Sequence, residues 1–173
     1  ALLRDAPDLP PVVAHFHEWM AGTAIPEIRR ANLPLATVFT THATVLGRSL
    51  AGSGVDIYRQ MDHLSPPREA SAHHVVAKCS METAAARESD CFTTVSDITA
   101  VEARSFLGRA PDAITTNGLD MTQIPDRTAN REAPDSARRK ILEAASLFLR
   151  KPLPASTRLI GISGRYEFHN KGV

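Results

Sequence analysis

The sequence predicts an α/β fold, a Rossmann-like parallel sheet with flanking helices. Two observations predict it. Apolar runs rich in Val, Ile, Phe and Thr alternate along the chain with longer stretches of helical periodicity. Polar residues of catalytic type then follow those runs: His17, His42, Ser96 and Asn117 each stand at or just past the end of one. In open α/β sheets ligands bind at the carboxyl ends of the strands, so fold and candidate site are predicted together.

The elements follow in order. Pro11 to Phe16 reads as a first buried strand, and Glu18 to Ala31 as a helix carrying Trp19, Met20, Ala24 and Ile28 near one face, interrupted by Gly22 and Pro26. Leu35 to Thr40 is β-branched and nearly continuous, as a strand covered on both faces is. His42 to Leu50 reads as a helix with Val45, Leu46 and Leu50 as its stripe, and residues 51–68 as an irregular excursion with one short helix. Glu69 to Ser89 has the strongest helix propensity, Cys91 to Val95 is a third strand, and Ser96 caps a helix that Gly108 stops. Ala113 to Thr116 is a fourth strand ending in the turn Asn117-Gly118, and residues 120–134 form a polar linker. A helix over 135–149 turns Ile141, Leu142, Ala145 and Phe148 inward and Arg138, Arg139 and Lys140 outward. Arg158 to Gly164 is a last apolar strand and turn.

Composition narrows the function. With 173 residues, 43% of them apolar, the chain can bury one sizeable core. Its net charge of +1 excludes a broad attraction to nucleic acid or to an anionic membrane, so anion binding must be local. Cys79 and Cys91 lack metal-ligand spacing and read as reduced thiols of a cytoplasmic protein. There is no apolar run long enough for a membrane span and no signal-peptide pattern at the start, while the opening Ala1-Leu-Leu-Arg4 without Met reads as an internal stretch of a longer polypeptide. Gly-x-Ser-x-Gly, Gly-x-Gly-x-x-Gly and P-loop patterns are missing, and His63, His73 and His74 have no metal-site spacing. The remaining candidates are His15 and His17, His42, Ser96, Asn117, and the cations Arg165 and Lys171 placed after an apolar run and a glycine turn. A guanidinium and an ammonium aimed at one crevice suit a diphosphate.

Five blocks, in order, carry a family resemblance: His15-Phe-His-Glu-Trp-Met-Ala-Gly22, Phe39-Thr-Thr-His-Ala-Thr-Val-Leu-Gly-Arg48, Asp90-Cys-Phe-Thr-Thr-Val-Ser-Asp-Ile-Thr-Ala100, Thr116-Asn-Gly-Leu119 and Gly164-Arg-Tyr-Glu-Phe-His-Asn-Lys-Gly172. Together they resemble the glycogen synthases of the animal and fungal type, retaining glycosyltransferases of the GT-B fold. The resemblance implies that residues 1–150, with an interdomain helix over 135–149, are the later part of the N-terminal Rossmann-like domain. Residues 151–173 are then a linker and the first strand of the C-terminal nucleotide-sugar-binding domain.

The same resemblance implies transfer of glucose from UDP-glucose to a glucan acceptor, without metal or other cofactor, in a cytoplasmic enzyme whose parent form allows a homo-oligomer. Arg165 and Lys171 match the pair that neutralises the UDP diphosphate, His17 the histidine at the glucose end, with His15 as the alternative, and Asn117 a donor-facing turn residue. Thr116 stands where the family has proline and His169 where a basic residue is common, and residues 51–68 depart from the pattern. The family's catalytic carboxylates would follow Val173, so the chain alone is expected to turn over nothing. Other retaining transferases of this fold, and a non-catalytic sugar-binding domain, are the alternatives.

Overall fold

A computed structural model describes residues 10–124 and 133–161. Its first compact unit, residues 10–117 of those described, holds a four-stranded parallel sheet in the order β1 (Val12–His17), β2 (Leu35–Thr41), β3 (Cys91–Thr94), β4 (Ala113–Ile114). Parallel neighbours in sequence order demand crossovers, and helices supply each one. Between β1 and β2 run α1 (Glu18–Gly22) and α2 (Ala24–Arg30). Between β2 and β3 run α3 (Val45–Gly52), α4 (Ile57–Gln60), α5 (Pro66–Ala72) and α6 (Val76–Glu88), and α7 (Asp97–Leu107) joins β3 to β4. The predicted α/β sheet with flanking helices is therefore the observed one.

Phe39 of β2 and Phe92 of β3, both fully buried, stack with ring centroids 5.7 Å apart. Ile25 of α2, Ala85 and Ala86 of α6, and Ala103 and Leu107 of α7 close over them. Small alanines let these helices approach the sheet closely. A second cluster, Leu46, Leu50, Ile57, Ala70 and Phe106, lies among α3, α4, α5 and α7. It gathers the excursion of residues 51–68 into helical turns, including a 3-10 turn at Met61–His63, where the sequence suggests one short helix.

Three further boundaries differ from expectation. β1, which pairs with β2 alone among the described residues, alternates half-buried and exposed residues instead of being buried on both faces, with Val13, His15 and His17 on its exposed face. The first helix breaks at Thr23, whose hydroxyl donates to the Met20 carbonyl, and Pro26 then falls in the first turn of α2, where its missing N–H costs nothing. A side chain at Gly22 would meet the Phe39 ring at 2.7 Å, so glycine lets α1 close on the sheet. The long alanine-rich helix is two helices: Val75 N–H donates to the Ala70 carbonyl and His74 takes φ 56, turning the chain between α5 and α6.

The second compact unit comprises residues 118–124 and 133–161 among those described. Its main element is α8 (Ala133–Leu149), with Pro134 in the first turn. Leu142 is buried as expected, but Ile141 and Phe148 are exposed, and Arg138 turns back to donate to the carbonyls of Ala155, at 2.8 Å, and Thr157. Of the predicted last strand, residues 158–161 are not in a strand and Ile160 stands exposed, while residues 162–164 lie outside the described residues. No helix among the described residues is long and apolar enough to cross a membrane.

Candidate functional site

All four strands being parallel, their carboxyl ends share one edge of the sheet. His15 and His17, two residues apart on β1, project from the same face, their rings 4.3 Å apart. The register pairs His17 with Thr40 of β2, so His42, two residues further, arrives beside it. His17 Nδ1 and His42 Nε2 share a hydrogen bond of 3.0 Å. His15 Nε2 and Thr40 Oγ1 share another of 2.7 Å, and Thr40 in turn bonds Thr93 Oγ1 of β3 at 2.6 Å. Burial, and then the neighbouring His17, depress the pKa of His15 below the ordinary histidine value, favouring its neutral ring.

From the β2–α3 loop, residues 42–44, and the first residue of α3, the amides of His42, Thr44 and Val45 point at three carboxylates. Glu18 Oε1 of α1 accepts the His42 N–H at 2.9 Å and Arg48 Nη2 at 3.1 Å. Glu102 Oε1 of α7 accepts the Thr44 N–H at 2.9 Å and the Thr44 hydroxyl, while Glu102 Oε2 accepts the Tyr58 hydroxyl at 3.3 Å. Glu82 of α6 accepts the Val45 N–H at 2.8 Å and the Thr41 hydroxyl at 2.9 Å. Thr44 then caps α3, its hydroxyl accepting the Gly47 N–H at 2.9 Å.

Burial raises Glu82 to about 7, against the opposing pull of the Val45 N–H and Thr41 hydroxyl. Burial first, and then the charge of Glu82, raises the Cys79 thiol to about 11, which leaves it protonated and unreactive. Glu18 itself sits at φ 65, a conformation costing about 1–3 kcal/mol for a residue with a side chain. Its carboxylate bonds to His42 and Arg48 hold it there, at the strand end where strained residues gather in binding sites.

Of the residues that the sequence singles out, the structure brings His15, His17 and His42 together. Ser96 caps α7, accepting the Thr99 N–H at 3.2 Å, a structural use of its hydroxyl. Asn117 lies exposed beyond β4 and makes no hydrogen bond to the histidines. Arg165 and Lys171 lie outside the described residues. Sequence reasoning missed Glu18, Glu82 and Glu102. Spacing held a signal for the last two: Glu82 shares a helix face with Ala85 and Ala86, and Glu102 with Thr99 and Phe106, all buried.

The family profile described as glycogen synthase matches residues 2–173. The chain is 40% identical over 164 residues to the liver glycogen [starch] synthase of Mus musculus, covering 93% of this chain and 23% of that protein. It is 38% identical over 169 residues to the glycogen [starch] synthase of Neurospora crassa, covering 94% and 23%, and 39% identical over 166 residues to that of Caenorhabditis elegans, covering 94% and 25%. It thus spans about a quarter of the length of these curated relatives. A match over nearly every residue to relatives from animals and a fungus, on the parallel sheet that the five sequence blocks implied, places the chain in the glycogen synthase family.

Proposed function

We propose that this chain is part of an enzyme that transfers glucose from UDP-glucose to the non-reducing end of an α-1,4-glucan with retention of configuration, working in the cytoplasm and without a metal ion. The observation that carries the reading is the family match over residues 2–173. The hydrogen-bonded pair of His17 and His42 supports it, because it puts polar groups at the sheet edge where α/β folds receive ligands.

In this reading the bond between the sugar's anomeric carbon and the β-phosphate oxygen breaks with UDP taking the electron pair. The glucan's terminal 4-hydroxyl oxygen bonds to the anomeric carbon on the same face, and the hydroxyl proton passes to the departing phosphate. Arg165 and Lys171 take the growing diphosphate charge; fixed cations in such a role are worth several kcal/mol. His17, oriented by His42, faces the positive charge that develops on the sugar, with its ring or adjoining carbonyl as the stabilising dipole. His15 is held by Thr40 on the same face and extends that polar wall, and Asn117 approaches the donor from the β4 side.

The full-length protein that carries this chain, assayed with glycogen and UDP-glucose, ADP-glucose or GDP-mannose, is expected to consume UDP-glucose. Consumption of a non-glucose donor alone would refute the reading. Arg165→Ala and Lys171→Ala are each expected to lower turnover at least about tenfold, equivalent to about 1.4 kcal/mol of lost charge stabilisation. Unchanged turnover in both would remove the diphosphate from these residues.

A further inference from the structure

We propose that Glu82 and Glu102 are positioning residues that hold the β2–α3 loop from beneath and thereby set His42 against His17. The proposal rests on the reading of the histidine rim as the sugar-facing part of the donor site. Neither glutamate reaches the rim: Glu82 is fully buried and Glu102 nearly so. Neither has a cation partner among the described ion pairs. Burying a carboxylate in this way is costly, and packing alone would be served by an apolar side chain. What an apolar side chain cannot do is accept the amides of Thr44 and Val45, which the loop turns inward.

The connection from the carboxylates to the rim is short. Glu102 Oε1 holds both the amide and the hydroxyl of Thr44, and that hydroxyl is also the cap of α3. Glu82 holds the next amide, Val45, and fastens it to Thr41 at the end of β2. His42 lies between these two fixed points, one residue from Thr41 and two from Thr44. Its Nε2 is 3.0 Å from His17 Nδ1, so a shift of about 1 Å in the loop breaks that bond. Misplacement of a catalytic group by about 1 Å can lower a rate roughly a hundredfold. Gly47 reports on the same geometry independently. It packs against Glu102 so closely that a methyl there would overlap Glu102 Oε1 and push the carboxylate off Thr44 without changing any charge.

The test uses the full-length protein with Glu102→Ala, Glu102→Gln and Gly47→Ala, glucosyl transfer from UDP-glucose, and hydrogen exchange of the peptide spanning residues 40–48. Glu102→Ala and Gly47→Ala are expected to lower kcat roughly tenfold to a hundredfold while the donor KM moves less than about threefold. Both should speed amide exchange within the peptide. Glu102→Gln keeps one oxygen for the Thr44 amide, and its side-chain amide can donate to the Tyr58 hydroxyl, so it should restore kcat to within about threefold and exchange to the parent rate. The proposal is overturned if kcat in Glu102→Ala stays within about twofold of the parent, if Glu102→Gln is as impaired as Glu102→Ala, or if exchange is unchanged in both loop variants. If Glu102→Ala does not fold, Gly47→Ala and Glu102→Gln decide between the same outcomes. A parent protein that transfers no glucose would refute the functional reading, while the exchange rates would still decide whether the carboxylates hold the loop.

Discussion

The two ends of β2 are each held by a carboxylate, and the two carboxylates hold their protons oppositely. At the start, Asp90 accepts the Thr37 N–H at 2.7 Å and the Thr37 hydroxyl at 3.0 Å, and pairs with Arg29 at 2.7 Å. The Arg29 hydrogen bond, then the Thr37 amide, lower Asp90 to about 2. At the end, Glu82 accepts a hydroxyl and an amide in the same fashion, yet it stands at about 7. The difference lies in surroundings. Asp90 is near water and has a cation, whereas Glu82 is fully buried, has no cation among the described ion pairs, and feels the like charges of Glu18 and Glu102. The starting end is thus a clasp that stays ionised at any working pH. The carboxyl end, next to the histidine rim, is held by a group that titrates near neutrality.

The strongest way to break this comparison is to delete the buried carboxylate. Glu82→Ala leaves the Val45 amide without its acceptor, leaves the Thr41 hydroxyl with only the Ala43 carbonyl at 3.2 Å, and opens a cavity beside Ala85 and Ala86. It should destabilise the protein by about 2–4 kcal/mol in denaturant titrations. A loss below about 1 kcal/mol would mean that water replaces the carboxylate and that the site is not dry.

Glu82→Gln sharpens the comparison through pH. Glu82 rises from an ordinary 4.5 to about 7 on folding, so between those values the folded state binds more protons than the unfolded one. The contribution of Glu82 to stability is fully present below about 4.5 and is lost as pH rises through about 7. Glutamine does not titrate. The stability of Glu82→Gln relative to the parent should therefore increase from pH 5 to pH 8, by on the order of 3 kcal/mol at most. A difference that is flat across that range would show that Glu82 is ionised throughout.

This contrast was only half legible in the sequence. The strands were legible because a parallel sheet needs short β-branched and aromatic runs, and Leu35–Thr41 and Cys91–Thr94 supply them. Ser96 was legible as a cap because its hydroxyl acts within three residues of its own position. The break between α5 and α6 was not, because local propensity favours an unbroken helix and the turn at His74 arises from packing Ala70 and Cys79 into one cluster. His15 and His17 stood out as strand-end histidines, but their bonds to Thr40 and His42 depend on strand pairing over 25 residues. Glu82 and Glu102 carry a faint signal in sharing helix faces with Ala85, Ala86 and Phe106, but nothing local names the groups they bond. Their partners lie 37 to 58 residues away on a loop that the periodicity assigned to helix. Arg165 and Lys171, the most conspicuous cations by motif, lie outside the described residues and rest on the sequence.

The smallest expected effect is at the exposed end. Asp90→Asn keeps an oxygen for the Thr37 amide and removes only the ion pair with Arg29. Because both side chains are more than a third exposed, water and salt screen that pair, and its loss should cost no more than about 1 kcal/mol. The sign is opposite to that at Glu82. A carboxylate lowered from 3.8 to about 2 stabilises the fold above 3.8, and that contribution disappears as pH falls through about 2. The deficit of Asp90→Asn should therefore be constant from pH 5 to pH 8, shrink in strong salt and vanish in acid. Glu82→Gln should show its pH dependence with little response to salt, its site being dry. If both variants responded alike to salt and pH, the two ends of β2 would share one environment, and the carboxylate beneath the His42 loop would be no more than a second clasp.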